Sequence, residues 1–109
     1  MAKAKRIALY CIVEKGCRNQ CKVGVSSDPI KRLQSLQAGN KRLLSIAWTI
    51  VDIDRASCFE TEQYILVRFD GSAYGGIRGR KFLQSEWVDA TPQSVRSCAV
   101  EFLEALKDG

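Results

Sequence analysis

The sequence predicts an α/β (α+β) domain, a small three-stranded antiparallel sheet flanked by helices. Three observations predict it. Two β-rich stretches, residues 7–13 and 21–25, lie one turn apart, the spacing of a hairpin. A third β-rich stretch, residues 43–53, follows a helical pattern. Two helix starts repeat one device, a capping side chain before a proline, at Asp28-Pro29 and Thr91-Pro92.

Residues 7–13 are apolar and rich in β-formers, and residues 15–20 form a turn punctuated by Gly16 and Asn19. Residues 21–25 return as the second strand. Asp28 caps the first helix, whose stripe is Ile30, Leu33 and Leu36, and Gly39-Asn40 ends it. After the third strand Asp54 caps a second helix with an apolar line of Phe59, Leu66 and Phe69, and Ile65 alongside. Residues 71–79 are a glycine-rich loop, and residues 82–88 contain a short extended piece. The last helix, residues 91–107, is amphipathic, with Val95, Cys98, Ala99, Phe102, Leu103 and Leu106 at helical spacing.

A chain of 109 residues that is 46% hydrophobic supports one core, so residues 1–109 are read as a single domain. No apolar run approaches the roughly 20 residues that cross a bilayer, and the basic start lacks a signal-peptide core. The expectation is a cytoplasmic protein without a membrane partner. Five cysteines, an odd number at irregular spacing, do not make a disulfide framework. Without histidine or a C-x-x-C pair they read as ordinary thiols rather than zinc ligands, with Cys11, Cys58 and Cys98 in the core and Cys17 and Cys21 at loop or strand ends. The net charge of +5 is unevenly spread. Lys3, Lys5, Arg6, Lys15, Arg18 and Lys22 face one acid, Glu14, in the first 22 residues, and Arg78, Arg80 and Lys81 form a second basic group. Such a surface suits phosphate.

The order of elements and several motifs resemble the GIY-YIG endonuclease superfamily, most closely its small phage-associated branch with a Lys-Ile-Gly-type second signature. Leu9-Tyr10-Cys11 stands where the family has Gly-Ile-Tyr, and Lys22-Val23-Gly24 where it has Tyr-Ile-Gly. Ser26-x-Asp28-x-x-Lys31-Arg32-Leu33 is similar to the helix start carrying the family arginine. Glu62, followed by Ile65, Leu66 and Phe69, is similar to the helix carrying the metal-binding glutamate, and Ser85-Glu86-Trp87-Val88 to a Gly-Glu-Trp-Phe box. The resemblance implies a metal-dependent DNA endonuclease using Mg²⁺ or Mn²⁺, with Tyr10, Lys22 and Arg32 as catalytic residues and Glu62 as metal ligand. The first signature lacks its glycine and isoleucine, Leu66 stands where the branch often has histidine, and Ser85 replaces a glycine.

The residue types suit that chemistry independently. Phosphodiester hydrolysis needs an activated water and stabilisation of charge on phosphate, and a hard cation needs as few as one or two protein carboxylates. Glu62 sits on the apolar side of its helix, where a charge is costly unless paired or coordinated; pairing with Arg32 is the structural alternative. A guanidinium such as Arg32 can grip phosphate through parallel hydrogen bonds. If Tyr10 and Lys22 share a sheet face, the lysine favours the ionised phenol and makes Tyr10 a candidate general base; otherwise Tyr10 is a half-buried strand aromatic. With no histidine, a histidine relay is excluded. Lys31, Arg78, Arg80 and Lys81 are candidate nucleic-acid contacts, or solvated surface. Trp87 reads as a packing residue. The four central residues are expected to converge on one cleft. Two other functions fit: a catalytically impaired nucleic-acid-binding module on the same fold, and a protein-interaction domain using the C-terminal helix.

Overall fold

The computed structural model describes residues 7–69 and 86–108. In chain order these form β1 (Ile7–Glu14), β2 (Cys21–Ser26), α1 (Pro29–Ala38), β3 (Leu44–Ile53), α2 (Arg55–Arg68), β4 (Glu86–Val88) and α3 (Pro92–Asp108). The strands make one antiparallel sheet in the order β3-β1-β2-β4. The fold class is therefore α+β as expected, but the sheet has four strands rather than three. The added strand is three residues long, too short to show a period-two pattern, and it pairs with the edge that β2 would otherwise expose.

Local chemistry sets the element boundaries. Asp28 accepts from the Lys31 backbone N–H at 3.1 Å, Asp54 from that of Ser57 at 3.0 Å, and Thr91 Oγ1 from that of Ser94 at 3.2 Å. Each satisfies a donor that the first helical turn leaves without a partner. The hairpin turn runs through Gly16 at φ 86°, a left-handed conformation that glycine adopts without steric penalty.

Strand β1 lies at the centre, with neighbours on both edges and helices on both faces. That explains its unbroken burial from Ile7 to Ile12, in place of alternation. Tyr10, Ile12 and Leu44 point to one face and pack with Leu33 and Leu36 of α1, Ile46 and Trp87. Leu9, Cys11, Cys21 and Val23 point to the other, where Cys58 and Ile65 of α2 and Val95, Cys98 and Ala99 of α3 complete the larger core. Tyr64 of α2 stacks on Phe102 of α3, centroids 4.4 Å apart.

Two expected helix stripes are shifted. In α2, Ile65, Leu66 and Phe69 of the expected line do pack on the core, beside buried Cys58, Thr61 and Glu62, whereas Phe59 is exposed with the Arg55 guanidinium 5.8 Å from its ring. In α1, Leu33 and Leu36 pack inward but Ile30, in the first turn, is exposed. Cys21, expected at a strand end, does begin β2 but is fully buried there.

Between the pairs Ile7–Ile53 and Leu9–Ile50 the single residue Ala8 faces both Val51 and Asp52, a β-bulge. Asp52 occupies it at φ 62°, which aspartate tolerates better than most L-residues. Asp52→Val is expected to lower stability by roughly 1–2 kcal/mol, because a β-branched side chain is strained there, while Asp52→Gly keeps it within about 0.5 kcal/mol. Urea unfolding of the two variants checks this.

The buried thiols also set an alkaline limit. Burial first, then the Glu62 and Asp54 carboxylates, push Cys58 from 9.0 up to about 12. Above pH 9 the unfolded chain loses this proton while the folded chain keeps it. Unfolding then releases protons, so stability is lost as pH rises towards 12, by at most about 1.4 kcal/mol per pH unit for this thiol. Urea unfolding on either side of pH 9 is expected to show a shallower pH slope in Cys58→Ala than in the parent chain.

Candidate active site

On the α1 face, Tyr10 sits mid-strand between Gly24 of β2 and Thr49 of β3, and is 1% exposed. The Asp28 cap fixes the start of α1, and the Arg32 N–H makes the helix's first backbone bond, 3.0 Å to Asp28 O. This leaves Arg32 half-buried in the first turn, where its Nε donates to Tyr10 Oη at 3.4 Å. The bond is long for an N–H donor. It uses one of the five N–H groups of the guanidinium, and among the described residues no carboxylate pairs with Arg32.

Lys22 lies on this same face. It is opposite Ile12 on β1 and Trp87 on β4, hence diagonal to Tyr10, and its Nζ lies 5.3 Å from the centre of the Trp87 ring. The expected sharing of one face by Tyr10 and Lys22 is therefore present in the register. Trp87 is half-buried and belongs to the cluster around Tyr10, which brings it into the site's wall. Its packing character was readable from sequence, but not its place beside Lys22, which depends on the register of β4. Lys31 is exposed on the outer side of α1.

The structure does not bring Glu62 onto that face. Helix α2 starts directly after β3 and returns along the opposite side of the sheet, where its buried residues join the core of Leu9 and Cys11. Glu62, 8% exposed, is on that buried stripe next to Cys58, whose thiol its charge raises. Of the four residues expected around one cleft, Tyr10, Arg32 and Lys22 share the α1 face, and Glu62 is on the helix that packs on the other face of the sheet. The cause is helical periodicity, since position 62 shares the stripe of Cys58 and Ile65 rather than that of Phe59. Arg78, Arg80 and Lys81 lie outside the described residues.

Among the described residues no group of three or more Cys, Asp or Glu side chains could hold a metal ion. A single carboxylate such as Glu62 fits Mg²⁺ or Mn²⁺ only in the mode where waters and phosphate complete the shell. No helix among the described residues is long and apolar enough to cross a membrane.

A phenol hydroxyl against a half-buried guanidinium, with a lysine on the same face, can hold an anion and stabilise negative charge. Compared with known proteins, the chain matches no family model, and neither a curated protein nor a solved structure matches it.

Proposed function

We propose that the chain is a GIY-YIG-type DNA endonuclease, a phosphodiester hydrolase that works with Mg²⁺ or Mn²⁺. The observation that carries this reading is the contact between Arg32 and Tyr10, a half-buried guanidinium with no carboxylate partner among the described residues. A half-buried cation that has no carboxylate partner among the described residues is suited to a ligand that supplies the counter-charge. A phosphate does so, and accepts parallel hydrogen bonds from the guanidinium. In this reading Arg32 holds the scissile phosphate and offsets the charge that grows on it. Tyr10 is placed to exchange a proton at Oη, and Lys22 keeps the face positive. A divalent metal would supply Lewis-acid stabilisation of the phosphate oxygens, and Glu62, in the α2 layer, would be its carboxylate only for a phosphate that reaches both layers.

A second reading, a nucleic-acid-binding module without turnover, is favoured by the position of Glu62 in the α2 layer. Both readings require DNA binding, and both are tested first by titrating duplex DNA at several salt concentrations. Neutralising phosphates releases counterions, so affinity is expected to fall steeply as salt rises. Arg32→Ala is expected to weaken binding and reduce the slope of log K against log salt by about 1. Absence of binding at low salt would rule out both. Incubating the parent chain with plasmid and either metal then separates them, since the module binds without cutting.

A further inference from the structure

On the α1 face, Lys22 meets an aromatic ring that the proposed function does not use. Trp87 of β4 stands directly opposite Lys22 of β2, and the Lys22 Nζ lies 5.3 Å from the centre of the indole. Ile12 is opposite Lys22 on the other side, so Ile12, Lys22 and Trp87 make one row across three strands. The same indole is half-buried and packs against the cluster of Tyr10, Ile12 and Leu44.

We propose that Trp87 is a positioning residue: its ring holds the Lys22 ammonium on the α1 face, where Lys22 and Arg32 are the two cations of one phosphate site beside Tyr10. Three features carry this. First, the contact follows from register. Directly opposite residues of antiparallel strands have Cβ atoms only about 4.5–5.5 Å apart, and the ammonium lies inside the roughly 6 Å over which an aromatic face attracts a cation. Second, the ring is itself held in place. Backbone pairs flank it on both sides, Cys21 with Val88 and Val23 with Glu86. Val88, the next residue, is buried in the core on the opposite face of the sheet. The ring therefore restrains the lysine rather than following it. Third, the ring attracts the ammonium without cancelling its charge, as a carboxylate would. A lysine held in this way stays a cation that a phosphate can use.

The gain is one of preorganisation. A lysine has a flexible four-carbon stem with high rotamer entropy. Restricting that stem before the anion arrives lowers the ordering cost of binding. Tyr10 is diagonal to Lys22 across the β1–β2 ladder, so an ammonium kept on this face acts on the same anion as the Tyr10–Arg32 contact. The site then depends on β4, three residues that are far along the chain from β2.

That the anion is a phosphate rests on the endonuclease reading; the placement of Lys22 by Trp87 does not, and the test reads the two separately. Placement is read by proton NMR of the full chain. The Lys22 Cε protons are expected upfield of those of the other lysines, with nuclear Overhauser contacts to the Trp87 ring. The upfield shift is expected to vanish in Trp87→Leu and to persist in part in Trp87→Phe. Unshifted Lys22 protons without ring contacts in the parent chain, a result that needs no variant to fold, would overturn the placement. Binding is read by titrating inorganic phosphate and following the Arg32 and Gly24 amide signals. Trp87→Leu is expected to weaken phosphate binding by about 2–5-fold, the factor expected of one exposed cation–π contact. Trp87→Phe is expected to restore most of it. In a Lys22→Met background, Trp87→Leu is expected to cost nothing further, because the two residues act through one contact. An equal loss with and without Lys22 would make the indole a packing residue only and overturn the positioning role. A parent chain that binds no phosphate while its Lys22 protons stay shifted would overturn the phosphate site and the endonuclease reading, and leave the placement of Lys22 standing.

Discussion

Arg32→Ala is expected to lower Mg²⁺-dependent DNA cleavage by a factor on the order of 10²–10³, the effect of removing one preorganised donor to a developing charge, or about 2.7–4 kcal/mol. The size follows from what Arg32 touches. Its guanidinium is half-buried against Tyr10, so its charge acts where water screens less than at the surface. Alanine also removes the hydrogen bond to the buried Tyr10 hydroxyl, so some stability is lost. Arg32→Lys separates these effects. Lysine keeps a positive charge and most of the stem but cannot offer two parallel N–H groups. If charge alone matters, Arg32→Lys retains most of the activity; if the planar fork matters, it loses nearly as much as alanine. Single-turnover cleavage with urea unfolding of each variant reads both. Cleavage undiminished in Arg32→Ala would remove this face from the chemistry.

Helix starts were the most legible part of the fold. Asp28-Pro29, Asp54 and Thr91-Pro92 encode their caps in two residues, and the structure places the helices there. The hairpin was legible because β1 and β2 are separated by one short turn. The fourth strand was legible only as a short extended piece in residues 82–88; its place in the sheet was not, because its partner β2 is distant in sequence. On α2, Ile65, Leu66 and Phe69 pack on the core as their spacing indicates, and Phe59 was misread. Phe59 is a stronger apolar signal than Cys58 or Thr61, but the sheet leaves room for the small side chains and the aromatic stays outside. At the site, the shared face of Tyr10 and Lys22 follows from hairpin register, a local property. The side of the sheet that receives Glu62 depends on how α2 returns from β3, a tertiary choice that spacing along the chain does not encode.

Glu62→Gln is expected to abolish metal-dependent cleavage while leaving the fold and DNA binding close to those of the parent chain. Glutamine keeps the shape of a side chain that sits on the buried stripe of α2, and removes the negative charge that would hold a divalent cation. The position across the sheet from Arg32 makes this the sharper of the two tests. If Glu62 is the metal carboxylate, calorimetry should show Mn²⁺ binding in the parent chain and none in Glu62→Gln, with unfolding free energies nearly equal. If Glu62 instead compensates a charge inside the protein, glutamine leaves that charge unbalanced. Breaking a buried pair in this way costs about 3–5 kcal/mol, a loss that urea unfolding would reveal with no metal present. Neutralising Glu62 also removes the second of the three causes that raise the Cys58 thiol, so that thiol is expected to titrate lower in Glu62→Gln. Thiol reactivity against pH therefore reports, without metal or DNA, that the carboxylate acts where the structure puts it. Retained cleavage in Glu62→Gln, with the Cys58 thiol lowered, would show that the carboxylate has been neutralised and that the reaction does not need it.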